Sequence, residues 1–225
     1  MKVVFFGDSL TWGGYGGDYV GEIRQRVGDR HEIINAGVGG NTVINLARRL
    51  EDDVLAHEPD AVFVMVGGND AVSNSQPDSR PYYRKSMQIP EGTVSPDDFR
   101  SAYRDVINRL QGHYIHTFIG LEPMEANPTV TAAMKQFNAL ARAEAEAHNV
   151  PVLDLFAHFV PDAIPERKPI TTRFIQQIGD RERTGFSDWY GEQETHGYAY
   201  TFDGVHWTPR AAAEAAQLII TFMEL

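Results

Sequence analysis

The sequence predicts an α/β fold in which one parallel sheet carries helices on both faces. Short β-branched or aromatic runs alternate with amphipathic stretches of helical period, which is the pattern of successive βαβ crossovers. The chain has 225 residues, 42% hydrophobic and 23% charged, ordinary values for a globular protein with a sizeable core, so a single domain over 1–225 is expected.

The expected strands are residues 3–6, 32–35, 61–66, 115–121 and 150–155. Helical patterns cover 18–27, 43–57, 96–111 and 130–148, with a last one at 209–223 after the strands end. Pro96, Asp97 and Asp98 place a proline and two acids where a helix N-terminus favours them. Two stretches, 72–94 and 156–202, break the rhythm and read as loop insertions. The second is too rich in aromatics to be a solvated linker.

Composition excludes several functions. Twenty Lys and Arg against 31 Asp and Glu give a net charge of -11, which repels nucleic acid and anionic membrane surfaces. Zero Cys excludes disulfides, thiolate zinc sites and cysteine nucleophiles, leaving covalent chemistry to hydroxyl, carboxylate, imidazole or amine groups. The apolar run Val3-Val4-Phe5-Phe6 is too short for a signal-peptide core or a membrane span, so a cytoplasmic location is expected. No histidines pair at H-E-x-x-H spacing, and His113 with His116 sits on a strand approach where the rings diverge, so neither a metal nor another cofactor is expected.

In parallel sheets ligands bind beyond the carboxyl ends of the strands, so residues just after each run matter most. The first run leads into Gly7-Asp8-Ser9-Leu10-Thr11, placing a serine hydroxyl on that rim. Ser9 can equally cap the next helix. The motif lacks the second glycine of the α/β-hydrolase nucleophile elbow. The second run ends in Gly37-Val38-Gly39-Gly40-Asn41-Thr42, whose backbone N–H groups can face an anion, or whose glycines simply make a tight turn. After the third comes Gly67-Gly68-Asn69-Asp70, where an amide can donate to an oxyanion, although Asn and Asp also form turns. Glu122-Pro123-Met124 follows the fourth, with Met124 a candidate for an acyl pocket and Glu122 for a local hydrogen bond.

Before the last helix stands Asp203-Gly204-Val205-His206-Trp207-Thr208-Pro209. A carboxylate three positions before an imidazole can orient the ring and stabilise its charged form. The same stretch also reads as a helix start capped by Thr208 with His206 exposed, and both readings can hold together.

These blocks, Gly7-Asp8-Ser9-Leu10, Gly40-Asn41-Thr42, Gly67-Gly68-Asn69-Asp70 and Asp203-Gly204-Val205-His206, resemble in order and spread the GDSL/SGNH hydrolase family. The resemblance implies a three-layer αβα sandwich with a flavodoxin-like, five-stranded parallel sheet. It implies Ser9 as nucleophile, His206 as general base and Asp203 as its orienting carboxylate. The N–H groups of Ser9 and Gly40 and the side chain of Asn69 would form the oxyanion hole. Expected substrates are small-molecule carboxylic esters, with short acyl or acetyl groups favoured, and an acetylated carbohydrate or an acyl thioester as alternatives. The different class of function, a non-catalytic flavodoxin-like binding module, lacks a G-x-G-x-x-G fingerprint or P-loop lysine after the first strand. Trp207 departs from the family's commoner aliphatic or proline neighbour of the histidine.

Seven rings of the second insertion, Phe159, Phe174, Phe186, Trp189, Tyr190, Tyr198 and Tyr200, can wall a pocket or stack on a sugar face. Alternatively they form a satellite core or an interface between subunits of a homo-oligomer.

Overall fold

A computed structural model describes residues 1–225, the side chain of residue 182 excepted. The order is β1 (Lys2–Gly7), α1 (Ser9–Trp12), α2 (Tyr19–Val27), β2 (Glu32–Gly37), α3 (Val43–Asp53), β3 (Ala61–Met65), α4 (Gly68–Ser75), α5 (Arg80–Ser86) and α6 (Pro96–Gly112). There follow β4 (His116–Gly120), α7 (Pro128–Ala147), β5 (Val152–Leu153), α8 (Leu155–Phe159), α9 (Thr172–Arg183), α10 (Trp189–His196) and α11 (Pro209–Met223).

β1 is apolar at every position from Val3 to Phe6 because both of its faces are covered. Val4 and Phe6 pack with α3, α6 and α7, while Val3 and Phe5 pack with α2 and α11. Burying each such side chain contributes roughly 1.5–3 kcal/mol, which makes the sheet and its two helical layers mutually dependent. The strands are all parallel in the order β2-β1-β3-β4-β5. That is the three-layer, flavodoxin-like architecture. The chain leaves β1 toward β2 on one side and reaches β3 on the other, so a crevice opens at the carboxyl end of β1.

Local signals set several helix starts. Ser95 accepts the Asp98 N–H at 3.1 Å and Asn127 accepts the Val130 N–H at 3.0 Å, each before a proline at the first helical position. The Thr208 hydroxyl caps α11 through the Ala211 N–H, with Pro209 next.

Three expectations need correction. The fifth strand shrinks from 150–155 to Val152–Leu153, because Asp154 accepts the Ala157 N–H at 2.8 Å and starts α8. The helix expected over 43–57 stops at Asp53, and a separate 3-10 turn, Leu55–His57, follows the non-helical Val54. The insertions are also more helical than loop-like: 72–94 holds the end of α4 and all of α5, and 156–202 holds α9 and α10. Helices this short are stabilised by the surface they pack on rather than by their own period. Tyr83 of α5, for example, is fully buried in the core cluster.

Candidate active site

Ser9 stands directly beyond β1 as the first residue of α1. Asp8, not Ser9, caps this helix, its Oδ1 accepting the Leu10 N–H at 3.1 Å. The Ser9 hydroxyl is therefore free for other work.

The other end of the chain meets it there. A bridge between Thr201 and Trp207 folds the loop back on itself, and the Phe202 N–H donates to the His206 carbonyl at 3.0 Å. At its tip Gly204 has φ +90, a left-handed conformation, and lies so close to Ala126 that an added Cβ would meet the Ala126 Cα at 2.6 Å. Within this turn Asp203 Oδ1 accepts the N–H groups of Val205 at 2.9 Å and His206 at 2.7 Å. Asp203 Oδ2 lies 2.8 Å from His206 Nδ1, and His206 Nε2 lies 2.8 Å from Ser9 Oγ. With the ring proton on Nδ1, directed at the carboxylate, Nε2 is left to accept the serine proton.

All three groups are buried: Ser9 is 7% exposed, Asp203 4% and His206 3%. Burial pushes the Asp203 carboxyl up, but the adjacent His206 and the hydrogen bonds from His206 and Val205 outweigh it, so this acid stays below its ordinary value. The His206 ring is packed edge-on by Tyr15 at 5.0 Å and stacked on Phe202 at 6.0 Å between centroids. Trp207 points away. It is fully buried between Tyr19 and Phe159 and is a core residue of the α2/α11 layer.

Gly40 and Asn69 join the same cavity. Gly40 has φ +82, and a Cβ there would run into the Tyr82 hydroxyl. Its N–H has no hydrogen-bond partner among the described residues. The Asn69 amide is held at both ends: its Nδ2 donates to Asp8 Oδ2 at 2.8 Å, and its Oδ1 accepts the Tyr83 hydroxyl at 2.9 Å. One amide proton remains uncommitted.

The cavity has a volume of about 540 Å³. Ser9, Gly40, Asn69 and His206 form its polar floor, and Met124, Val72, Ile170, Phe174 and Ile178 supply apolar walls. Met124 thus sits where the sequence placed it, and Glu122 makes a bond to the Gly68 N–H at 2.8 Å. Of the seven insertion aromatics only Phe174 lines this cavity. Phe159 belongs to the main core, while Phe186 meets Trp189 edge-on at 5.0 Å and Trp189 meets Phe202 at a tilt at 4.6 Å beside the Asp203–His206 turn.

Several contributors were invisible to sequence reasoning. Asp8 lay in the motif but had no assigned task, and its preference for helix caps was the available signal. Tyr83 and the α9 residue Ile178 had none, because only the packing of the insertions brings them to the rim.

Burial also raises three carboxyls beneath the cavity: Asp8 to about 6 from an ordinary 3.8, and Asp70 and Glu122 well above their usual range. The folded state therefore keeps the Asp8 proton at pH values where the unfolded chain has lost it, and this group's contribution to stability falls as pH rises from about 4 to about 6. Asp8→Asn is expected to gain stability relative to wild type across that window, as read from urea midpoints at its two ends. A constant difference would contradict the shift.

An acetylxylan esterase of Geobacillus stearothermophilus is 28% identical over 181 residues, covering 70% of this chain and 77% of that protein. Among solved structures, an acetyl xylan esterase, AlAXEase, superposes with a TM-score of 0.67 at 23% identity over 98% of both chains. A lipase/acylhydrolase from Enterococcus faecalis gives 0.64 at 21% identity, over 98% of this chain and 93% of that one. The model of the GDSL-like lipase/acylhydrolase family matches residues 5–213, so the chain belongs to that family and is a serine ester hydrolase.

Proposed function

We propose that the protein hydrolyses acetyl or other short-chain esters of carbohydrate alcohols through an acyl-enzyme on Ser9. The observation that carries the mechanism is the pair of 2.8 Å contacts linking Ser9 Oγ to His206 and His206 to Asp203. His206 Nε2 takes the Ser9 proton as Oγ attacks the ester carbonyl, and Asp203 stabilises the resulting imidazolium. The oxyanion forms against the N–H groups of Ser9 and Gly40 and the Asn69 amide. Return of the proton from His206 to the alcohol oxygen breaks the ester bond. Water then repeats the sequence on the acyl-enzyme and releases the acid.

The carbohydrate alcohol is supported by an aromatic rim beside the nucleophile and by the 28% identical acetylxylan esterase. Trp12 is 36% exposed and meets Tyr15 edge-on at 4.9 Å. A Cβ built on Gly39 would lie 3.8 Å from each ring and 3.9 Å from Ser9 Cβ, so a sugar stacked on these rings would reach the serine.

The test is turnover of p-nitrophenyl acetate, butyrate, octanoate and palmitate, together with acetate release from acetylated xylo-oligosaccharides. Acetate esters are expected to be the best substrates, and trapping with a fluorophosphonate should place the adduct on the peptide containing Ser9. A preference for octanoate or palmitate would overturn the acyl assignment, and an adduct elsewhere would overturn the mechanism. Asn69→Ala is expected to lose roughly a hundredfold or more in kcat, the effect of deleting one oxyanion donor worth about 3 kcal/mol. An unchanged kcat would remove Asn69 from the oxyanion hole.

A further inference from the structure

Asn69 belongs to a buried acidic network that the triad does not use. Asp8 and Glu122 are each 1% exposed, and their carboxyl groups are in hydrogen-bonding contact with one another. Asp8 also accepts from the Leu10 N–H and the Asn69 amide, and Glu122 accepts from the Gly68 N–H. The two acids thus grip consecutive residues, Gly68 and Asn69, at the start of α4. Two carboxylate oxygens cannot hydrogen-bond without a proton between them.

We propose that Asp8 and Glu122 share one proton, carried on Glu122, and that this pair together with Tyr83 is the positioning device that keeps the Asn69 amide nitrogen turned toward the Ser9 cavity. The proposal rests on the ester-hydrolase reading of that cavity.

An asparagine side chain is nearly symmetric in shape, so packing alone does not choose between its oxygen and its nitrogen. An ionised Asp8 accepts only, and it selects the nitrogen. A flipped amide would set two acceptor oxygens against each other and turn Oδ1 on the developing oxyanion. The Tyr83 hydroxyl, donating to Oδ1, reinforces the same choice.

Burial pushes both acids up, while the contact between them lowers Asp8 and raises Glu122, which puts the shared proton on Glu122 and leaves Asp8 as the acceptor. The surrounding groups agree. Arg49 and His206 face Asp8 and favour its charge, Asp70 faces Glu122 and disfavours a second charge, and Tyr19, Tyr83 and Tyr103 are held neutral by burial. Among the described residues no three His, Asp or Glu side chains are grouped to hold a metal ion, so this cluster is not laid out as a cation site.

The experiment compares Glu122→Gln, Glu122→Leu and Tyr83→Phe, each made alone and with Asn69→Ala. Gln can donate to Asp8 and accept from Gly68 as the protonated acid does, so E122Q should lose only a few-fold in kcat. E122L and Y83F should each lose about tenfold or more in kcat with little change in KM, and should cost nothing further once Asn69 is alanine. Losses that persist in the Asn69→Ala background, or an E122Q as impaired as E122L, would overturn the proposal.

The shared proton is also read without substrate. The infrared difference between wild type and E122Q at neutral pH should contain the carbonyl band of a protonated carboxylic acid, and its absence would overturn the pair whatever the kinetics. Hydrolysis that does not depend on Ser9 would instead overturn the reading of the cavity, leaving the infrared result to judge the proton.

Discussion

Ser9→Ala is expected to lower kcat for p-nitrophenyl acetate by about 10⁴ or more while the protein remains folded. Ser9 Oγ is the group held 2.8 Å from His206 Nε2, and alanine has no atom to form the acyl-enzyme. The fold should tolerate the change because Asp8, not Ser9, caps α1, and alanine suits a first helical turn. The lost hydrogen bond to His206 contributes about 1 kcal/mol, a small part of the whole stability. Turnover and thermal melting on one preparation check both halves. A variant that keeps its melting temperature and its turnover would exclude Ser9 as nucleophile.

Glu125→Ala is expected to be the most destabilising of the substitutions considered, by about 3–5 kcal/mol. The Glu125 carboxylate is 1% exposed and accepts four hydrogen bonds, from the N–H groups of Ala199, Tyr200 and Thr201 and from the Thr201 hydroxyl, at 2.7–2.9 Å. Its own N–H donates to the Gly204 carbonyl at 3.0 Å. Glu125 therefore anchors the loop that carries Asp203 and His206 onto the segment after β4. Alanine leaves three backbone donors facing a space with no acceptor, each costing on the order of 1 kcal/mol or more. For a chain of this size the melting temperature should drop by about 10 °C. The loosened turn should also lower kcat, because the contacts from His206 to Asp203 and to Ser9 depend on its shape. Glu125→Gln, which keeps one acceptor oxygen, should fall between the two. A loss of less than a few degrees in the alanine variant would show that the loop is held by its other contacts.

Both predictions involve residues of very different visibility in the sequence. Ser9, Asn69 and the Asp203-x-x-His206 turn were legible because each follows a strand run or precedes a helix start, positions where backbone direction alone puts a side chain on the rim. Glu125 was not legible, since nothing near it in the chain shows which donors it will meet. The same contrast holds for the fold. Proline at the first helical position marks the starts of α6, α7 and α11, each behind a capping side chain, and the apolar run of β1 announces a strand covered on both faces. β5 was overestimated because Asp154 ends it through a cap, a choice between strand and helix that its apolar residues do not reveal.

What the sequence determined by itself is therefore the local grammar: five strand runs, the helices between them, a serine, a glycine turn and an amide at strand ends, and a carboxylate three residues before an imidazole. What only the tertiary structure decided is which of these groups touch. The separation of 197 positions between Ser9 and His206 is closed by the sheet, and the shape of the insertions, the grip of Glu125 on the Asp203–His206 turn and the contact between Asp8 and Glu122 follow from packing. Local propensities act over a few residues and are readable in order. Contacts between distant residues depend on how whole layers bury their apolar faces, and that becomes definite only when the layers have closed.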